Sequence, residues 1–222
     1  MDPQGQCVAL SDGASESFDS QTWGRLLCEA FLLEGASLRP SAPEQFIRSV
    51  LSHARASFAR KMASRVLSWS QQAALSRGNF ASLVGIREDV NQIALVAIGD
   101  SVVMWRDIRG QLQSWVLQTA DDFKRNPVLL GSDPRSDTVL FGSERARWGA
   151  CCIPKSDVLH GRLWLMTDAI GAFVTRLNEQ KACTAAIELL QSDNESLAVW
   201  VRQKRYHREL RIDDTTLLSV AV

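Results

Sequence analysis

The period of the apolar residues changes partway along the chain, and that change restricts the fold more than any other feature. Between residues 20 and 67 the pattern is helical. Trp23, Leu26, Leu27, Ala30 and Phe31 form one stripe, and Phe46, Ile47, Val50, Leu51, Ala54, Phe58 and Met62 form another. Gly35 stands where the first helix should end. Ser41-Ala42-Pro43-Glu44 has the Ser-x-x-Glu spacing of a capping box, with a proline in the first turn of the second helix. Ahead of both lies the strand-like Cys7-Val8-Ala9-Leu10, followed by a turn-rich stretch over 11–15.

From Phe80 the period shortens. "FASLVGI", "QIALVAIG", "SVVMW" and "QLQSWVL" are short β-branched or aromatic runs separated by "REDVN", "DS" and "RDIRG", which predicts an antiparallel meander. Residues 119–160 carry Pro127, Gly131, Pro134, Gly142, Gly149 and Pro154 with little periodicity and read as a long irregular excursion, a kind of segment that often carries function. "RLWLMT" returns as a strand, 170–177 and 182–190 read as helices, Leu197, Trp200 and Val201 indicate one more, and "TLLSVAV" closes as a strand. The class expected is α+β. At 222 residues and 45% hydrophobic the chain has enough apolar mass for one sizeable core, so a single domain over 1–222 is the expectation.

Charge and cysteine usage exclude several functions. Lys plus Arg number 25 and Asp plus Glu 25, so no net field draws the protein to nucleic acid or to an anionic membrane. There is no leader-like start and no apolar run of membrane-spanning length, and a soluble cytoplasmic protein is expected. Five cysteines without C-x-x-C and three histidines outside metal-ligand spacing argue against a disulfide framework and against zinc. The vicinal Cys151-Cys152 reads as loop, the seven tryptophans read mostly as core, and "RQKRYHRELR" (202–211) reads as a solvated helix end and turn.

Carboxylates recur at strand ends. "VALSDG" ends on Asp12, "ALVAIGDS" on Asp100 and "LWLMTDA" on Asp168, while "RIDDTTLLSVAV" sets Asp213 and Asp214 just before a strand. Converging aspartates make a hard-oxygen site suited to Mg²⁺ or Mn²⁺. Singly, each is equally a turn or helix cap, and spacing alone does not bring residues 12, 168 and 213 together.

The ordered set "SDGASES", "GNFASLVGI", "ALVAIGDSVVMWRDIRG", "LWLMTDAI" and "IDDTTLLSVAV" resembles the metal-dependent serine/threonine protein phosphatases of type 2C, the PPM-type family, in its compact bacterial form. The likeness runs from residue 7 to 222. It implies a four-layer α-β-β-α sandwich of two antiparallel sheets flanked by helices, with a dinuclear Mn²⁺ or Mg²⁺ centre at one edge. It places Asp12 as a bridging ligand, the Gly13 carbonyl as a further one, Asp168 and Asp213 as the remaining ligands, and Asp100 at a third, weaker metal. It also implies hydrolysis of phosphoserine or phosphothreonine by a metal-activated water, with no protein nucleophile, on a phosphorylated protein partner.

The chain departs from the family pattern at three places. No strand with an Asn-Gln-Asp or Met-Glu-Asp motif precedes Cys7; Met1-Asp2-Pro3 stand about where the turn after it belongs. A second metal site short of an acidic ligand is therefore expected, together with an unpaired edge on "CVAL" that invites a homodimer. Asp168 is followed by Ala169 where the family has Gly, and Ala172 stands where some members carry an acidic ligand. A working phosphatase and a degenerate one that binds a phosphoprotein without hydrolysing it are the two readings these residues leave open.

Overall fold

The computed structural model describes residues 6–142 and 148–222; Met1-Asp2-Pro3 lie outside the described residues. The chain runs β1 (Cys7–Leu10), α1 (Ser20–Glu34), α2 (Pro43–Ala63), α3 (Trp69–Leu75), β2 (Phe80–Ala81), β3 (Leu83–Glu88), β4 (Gln92–Ile98), β5 (Val102–Arg106) and β6 (Leu112–Trp115). It continues with β7 (Leu130–Gly131), α4 (Asp137–Gly142), β8 (Trp148–Pro154), β9 (Arg162–Met166), α5 (Asp168–Glu179), α6 (Cys183–Leu190), α7 (Asn194–Tyr206) and β10 (Leu217–Ala221). The class is mixed helix and antiparallel sheet, as the sequence predicts. Among the described residues no helix is long and apolar enough to cross a membrane.

Both predicted helical stripes are buried. Their ends differ from expectation. Gly35 keeps ordinary right-handed helical angles and begins a short 3₁₀ turn, so it is no left-handed cap. Its missing side chain matters instead because a Cβ there would run into Cys7 Sγ. The capping box over Ser41 to Glu44 does not form. The second helix starts at Pro43 with Ala42 as its N-cap, leaving Ser41 one residue too early, and Glu44 pairs with Arg48 at 2.6 Å. A true capping box closes between Ser68 and Gln71 and opens α3. This helix has no buried residue, and Trp69 on it is 84% exposed, so this tryptophan is not core.

The expected meander is split between two sheets. One has the order β1-β3-β4-β8 and the other β10-β9-β5-β6, with β2-β7 as a small pair. The chain leaves the first sheet at Ile98 and enters the second at Val102 through Gly99, whose φ of +89° suits glycine and whose Cβ would lie 2.8 Å from Ser82 Cβ. "FASLVGI" breaks at Ser82, so that Phe80 and Ala81 pair with β7 while Leu83 onward joins the first sheet. The excursion over 119–160 is not wholly irregular: β8 lies along β4 from Ile98↔Trp148 to Gln92↔Pro154. Cys151 and Cys152 therefore belong to an edge strand rather than a loop, and burial pushes the Cys151 thiol up to about 12.

Three apolar clusters fill the interior. Ile93, Leu95 and Ala97 of β4 meet Val103 of β5 and Leu163 and Leu165 of β9 between the sheets. Their sequence neighbours Ala94, Val96 and Ile98 face Trp23, Phe31 and Ile47 of the first two helices. Trp164 and Met166 of β9 point the other way, onto Ile170, Phe173 and Val174 of α5. The two-residue period of a strand thus explains why "QIALVAI" is apolar on both faces.

Gly85 on β3 lets the far end of the Phe31 ring reach the strand, since a Cβ at Gly85 would fall on the ring. Gly85→Ala is expected to lower stability by about 1–3 kcal/mol through overpacking. A lower urea midpoint at unchanged m-value would show it, and an unchanged midpoint would contradict this account of the contact.

Candidate functional site

Asp12 lies two residues beyond the end of β1, and its backbone is fixed by a residue far away in sequence. Ser82 N–H donates to the Asp12 carbonyl at 2.8 Å, and Asp12 N–H donates to Ser82 Oγ at 3.2 Å. Ser82 and Ser101 share a buried hydroxyl contact of 2.6 Å. Because Ser101 is the neighbour of Asp100, this serine pair ties the Asp12 and Asp100 turns together. Gly13 completes the first turn: it bridges to Ala81, and a Cβ on it would come within 2.7 Å of Ser20.

Asp168 is the first residue of α5, where the aligned peptide dipoles favour a negative charge. Thr167 before it gives no side-chain cap. Its hydroxyl donates to the Asp214 carbonyl at 3.0 Å and accepts from Thr216 N–H at 3.1 Å, which anchors the segment carrying Asp213. That segment is held from its other side by Arg205, whose guanidinium donates to the Asp213 carbonyl and to Thr215 Oγ1. Asp213 Oδ1 accepts from Asp214 N–H at 2.9 Å.

These turns place Asp12, Gly13, Asp100, Asp168 and Asp213 on one cleft of about 990 Å³, whose rim also holds Lys124, Arg125, Arg176 and Arg211. The acids oppose one another. Burial, then the charges of Asp100, Asp168, Asp213 and Asp214, push Asp12 up to about 7. Burial and the Asp168 charge push Asp100 up to about 6. Burial and Asp213 also raise Asp168, against the pull of the Arg211 guanidinium.

The donors fit a hard divalent cation in kind: carboxylate oxygens from separate chain segments, a nearby backbone carbonyl, and mutual repulsion that a cation would relieve. Asp168 supplies a more specific sign. Its Oδ2 accepts from Arg211 Nη1 at 2.9 Å, while its Oδ1 is buried with no hydrogen-bond partner. Such an oxygen is costly to leave bare. Among the described residues, no three acidic, histidine or cysteine side chains are already gathered at metal-ligand spacing.

Sequence reasoning missed Ser82 and Ser101, which act across long separations with no local pattern to mark them, and read Arg211 only as part of a solvated basic stretch. The basic stretch 202–211 is more than a solvated helix end, because Arg205 and Arg211 both reach the site. Most residues from Ala120 to Leu129 line the cleft, inside the long excursion, a kind of segment that often carries function. Asp122 shapes that stretch by accepting from the N–H groups of Gln118 and Thr119. Ala169 has no positive φ, so alanine is tolerated after Asp168, and Ala172 lines the cleft without offering a ligand.

No family model and no curated protein matches the chain. Solved structures do. The Mycobacterium tuberculosis serine/threonine phosphatase PstP/Ppp is 16% identical with a TM-score of 0.59, covering 98% of this chain and 88% of that one. The catalytic domain of PstP in complex with two manganese ions is likewise 16% identical, over 98% and 88%, at 0.57. Stp1 from Staphylococcus aureus is 14% identical, over 97% and 83%, at 0.55. At these identities the likeness is one of fold: the chain shares the fold of bacterial serine/threonine phosphatases, which is where the motif resemblance pointed.

The raised carboxylates make a pH prediction for the cation-free protein. The folded chain holds protons on Asp12 and Asp100 more tightly than the unfolded chain does. Their stabilising contribution is thus complete below 3.8 and is lost as pH rises through about 6 and about 7. The melting temperature in EDTA should fall across that window, and Asp12→Asn or added Mn²⁺ should flatten the fall. Identical pH profiles for the wild type and Asp12→Asn would sink this account of the cleft.

Proposed function

We propose that the protein is a Mn²⁺- or Mg²⁺-dependent PPM-type phosphatase that hydrolyses phosphoserine or phosphothreonine esters in a phosphorylated protein. The observation that carries this reading is the convergence of Asp12, Asp100, Asp168 and Asp213, from four separate turns, on one cleft with a cationic rim. The shared fold supports it. So does the alternation of apolar clusters, which fits two facing sheets with helices outside both, a four-layer α-β-β-α sandwich formed by one domain over 1–222.

In this reading Asp12, the Gly13 carbonyl, Asp168 and Asp213 hold the cations, and Asp100 serves a third, weaker position. Bound there, divalent cations supply Lewis acidity toward phosphoryl oxygens and toward water. The remaining work falls to the chain. Ser82 and Thr167 hold the ligand-bearing turns in place through backbone contacts, so the carboxylates cannot retreat from one another. The rim cations offset the field of the acids and give a phosphomonoester dianion a favourable approach. The breadth of the cleft suits a phosphorylated segment of a protein rather than an enclosed metabolite.

Hydrolysis of p-nitrophenyl phosphate and of a phosphothreonine peptide, measured with Mn²⁺ and with EDTA, tests the proposal. Activity should require Mn²⁺ and fall at least about 100-fold in Asp12→Ala and in Asp168→Ala, the scale lost when an electrostatic stabiliser is removed from an active site. Mn²⁺ binding by the folded chain without turnover would assign the protein instead to phosphoprotein binding, in keeping with Ala172, which lines the cleft without offering a ligand.

A further inference from the structure

Arg211 stands out among the rim cations because it touches the ligand set itself. Its Nη1 lies 2.9 Å from Asp168 Oδ2. Lys124, by contrast, pairs with Asp121 at 2.7 Å, and the Arg176 guanidinium sits 5.7 Å from the centre of the Phe173 ring. The two partners of the Arg211 pair are unequally placed: the arginine side chain is 64% exposed and the aspartate side chain 10%. Oδ2 is the Asp168 oxygen that the exposed guanidinium occupies, while Oδ1 is buried without a partner. A cation that takes Oδ2, alone or together with Oδ1, has to displace Arg211 from it.

The backbone around Arg211 is anchored, and its side chain is mostly exposed. Leu210 is buried at 5% exposure, and Arg205 clamps the Asp213 carbonyl and Thr215 just beyond. The guanidinium can turn about its own side-chain bonds without disturbing either anchor. Removed from Asp168, it would present a planar fork of N–H donors beside the ligands, the geometry that matches phosphoryl oxygens.

We propose that Arg211 is a positioning residue for the substrate phosphoryl group, held on Asp168 in the cation-free chain and released when a divalent cation takes that carboxylate. This rests on the metal-dependent reading of the cleft. One side chain then does two things in order: it neutralises a buried carboxylate before the cation arrives, and it engages the phosphoryl group afterwards. Cation binding and phosphate binding are coupled through it.

The test uses the full chain and two binding measurements that need no turnover. Mn²⁺ affinity is read from the signal of free Mn²⁺ by electron paramagnetic resonance, and orthophosphate affinity of the Mn²⁺-saturated protein by calorimetry, for the wild type, Arg211→Ala and Arg211→Lys. Losing the competing ion pair should tighten Mn²⁺ binding about five- to tenfold in Arg211→Ala. Orthophosphate should bind that variant about tenfold more weakly, as expected for a lost charge-assisted contact. Arg211→Lys should keep the competition for Asp168 and recover only part of the phosphate affinity. Weaker Mn²⁺ binding in Arg211→Ala would make Arg211 a fixed support for Asp168 and overturn the proposal, as would phosphate affinity indifferent to residue 211. Absence of Mn²⁺ binding in all three proteins would overturn the metal reading itself. Equal Mn²⁺ binding in all three would sink only the role given to Arg211.

Discussion

Like charges held together against their repulsion are the constraint on which the rest of this structure depends. Asp12, Asp100, Asp168 and Asp213 face one cleft, and burial with mutual repulsion raises the first three above the usual carboxylate range. In a flexible chain such groups would move apart into water. Here Asp12, Asp100 and Asp168 sit close to the ends of elements committed to the core, β1, β4, β9 and α5, and Asp213 lies on the segment between α7 and β10 that Arg205 and Thr167 anchor. The apolar clusters thus act as the frame that holds the acids in place.

The frame was legible in the sequence wherever one period persisted. The stripes of α1 and α2 bury one continuous face each, and the short apolar runs of β3, β4 and β9 are buried on both faces, so tertiary packing and local pattern agree. The misreadings have physical causes. β8 carries Gly149 and Pro154 and is only partly buried, so no alternation marks it. α3 buries nothing and leaves no stripe. The Ser41 to Glu44 spacing was right for a box, but Pro43 set the helix start one residue too late for Ser41 to cap it. The two-residue link "DS" looked like a hairpin turn, yet Gly99 turns the chain from one sheet into the other.

The site divides in the same way. Its aspartates were visible because a carboxylate ending an apolar run is unusual enough to notice. The residues that aim them were not, because their partners lie 70 positions away for Ser82 with Asp12 and 43 for Arg211 with Asp168. A serine or an arginine has no local signature that separates a solvated side chain from one reaching across the fold. The motif resemblance supplied the grouping that spacing could not, and the shared fold with the bacterial phosphatases agrees with it at the level of architecture.

The interleaving of the two sheets has a kinetic consequence. Strands β3 and β4 join one sheet and β5 and β6 the other, while β9 and β10, close to the C-terminus, must pair beside β5 to complete the second. Contacts of that sequence separation form slowly, because loop closure has to precede the pairing that rewards it. A chain emerging from the ribosome can assemble the first two helices on β3 and β4 early, yet it has no cleft until β10 lies along β9 and brings Asp213 to Asp168. On the metal-dependent reading, divalent cations would act only on a chain whose long-range topology is already settled, rewarding the last folding step rather than nucleating the first.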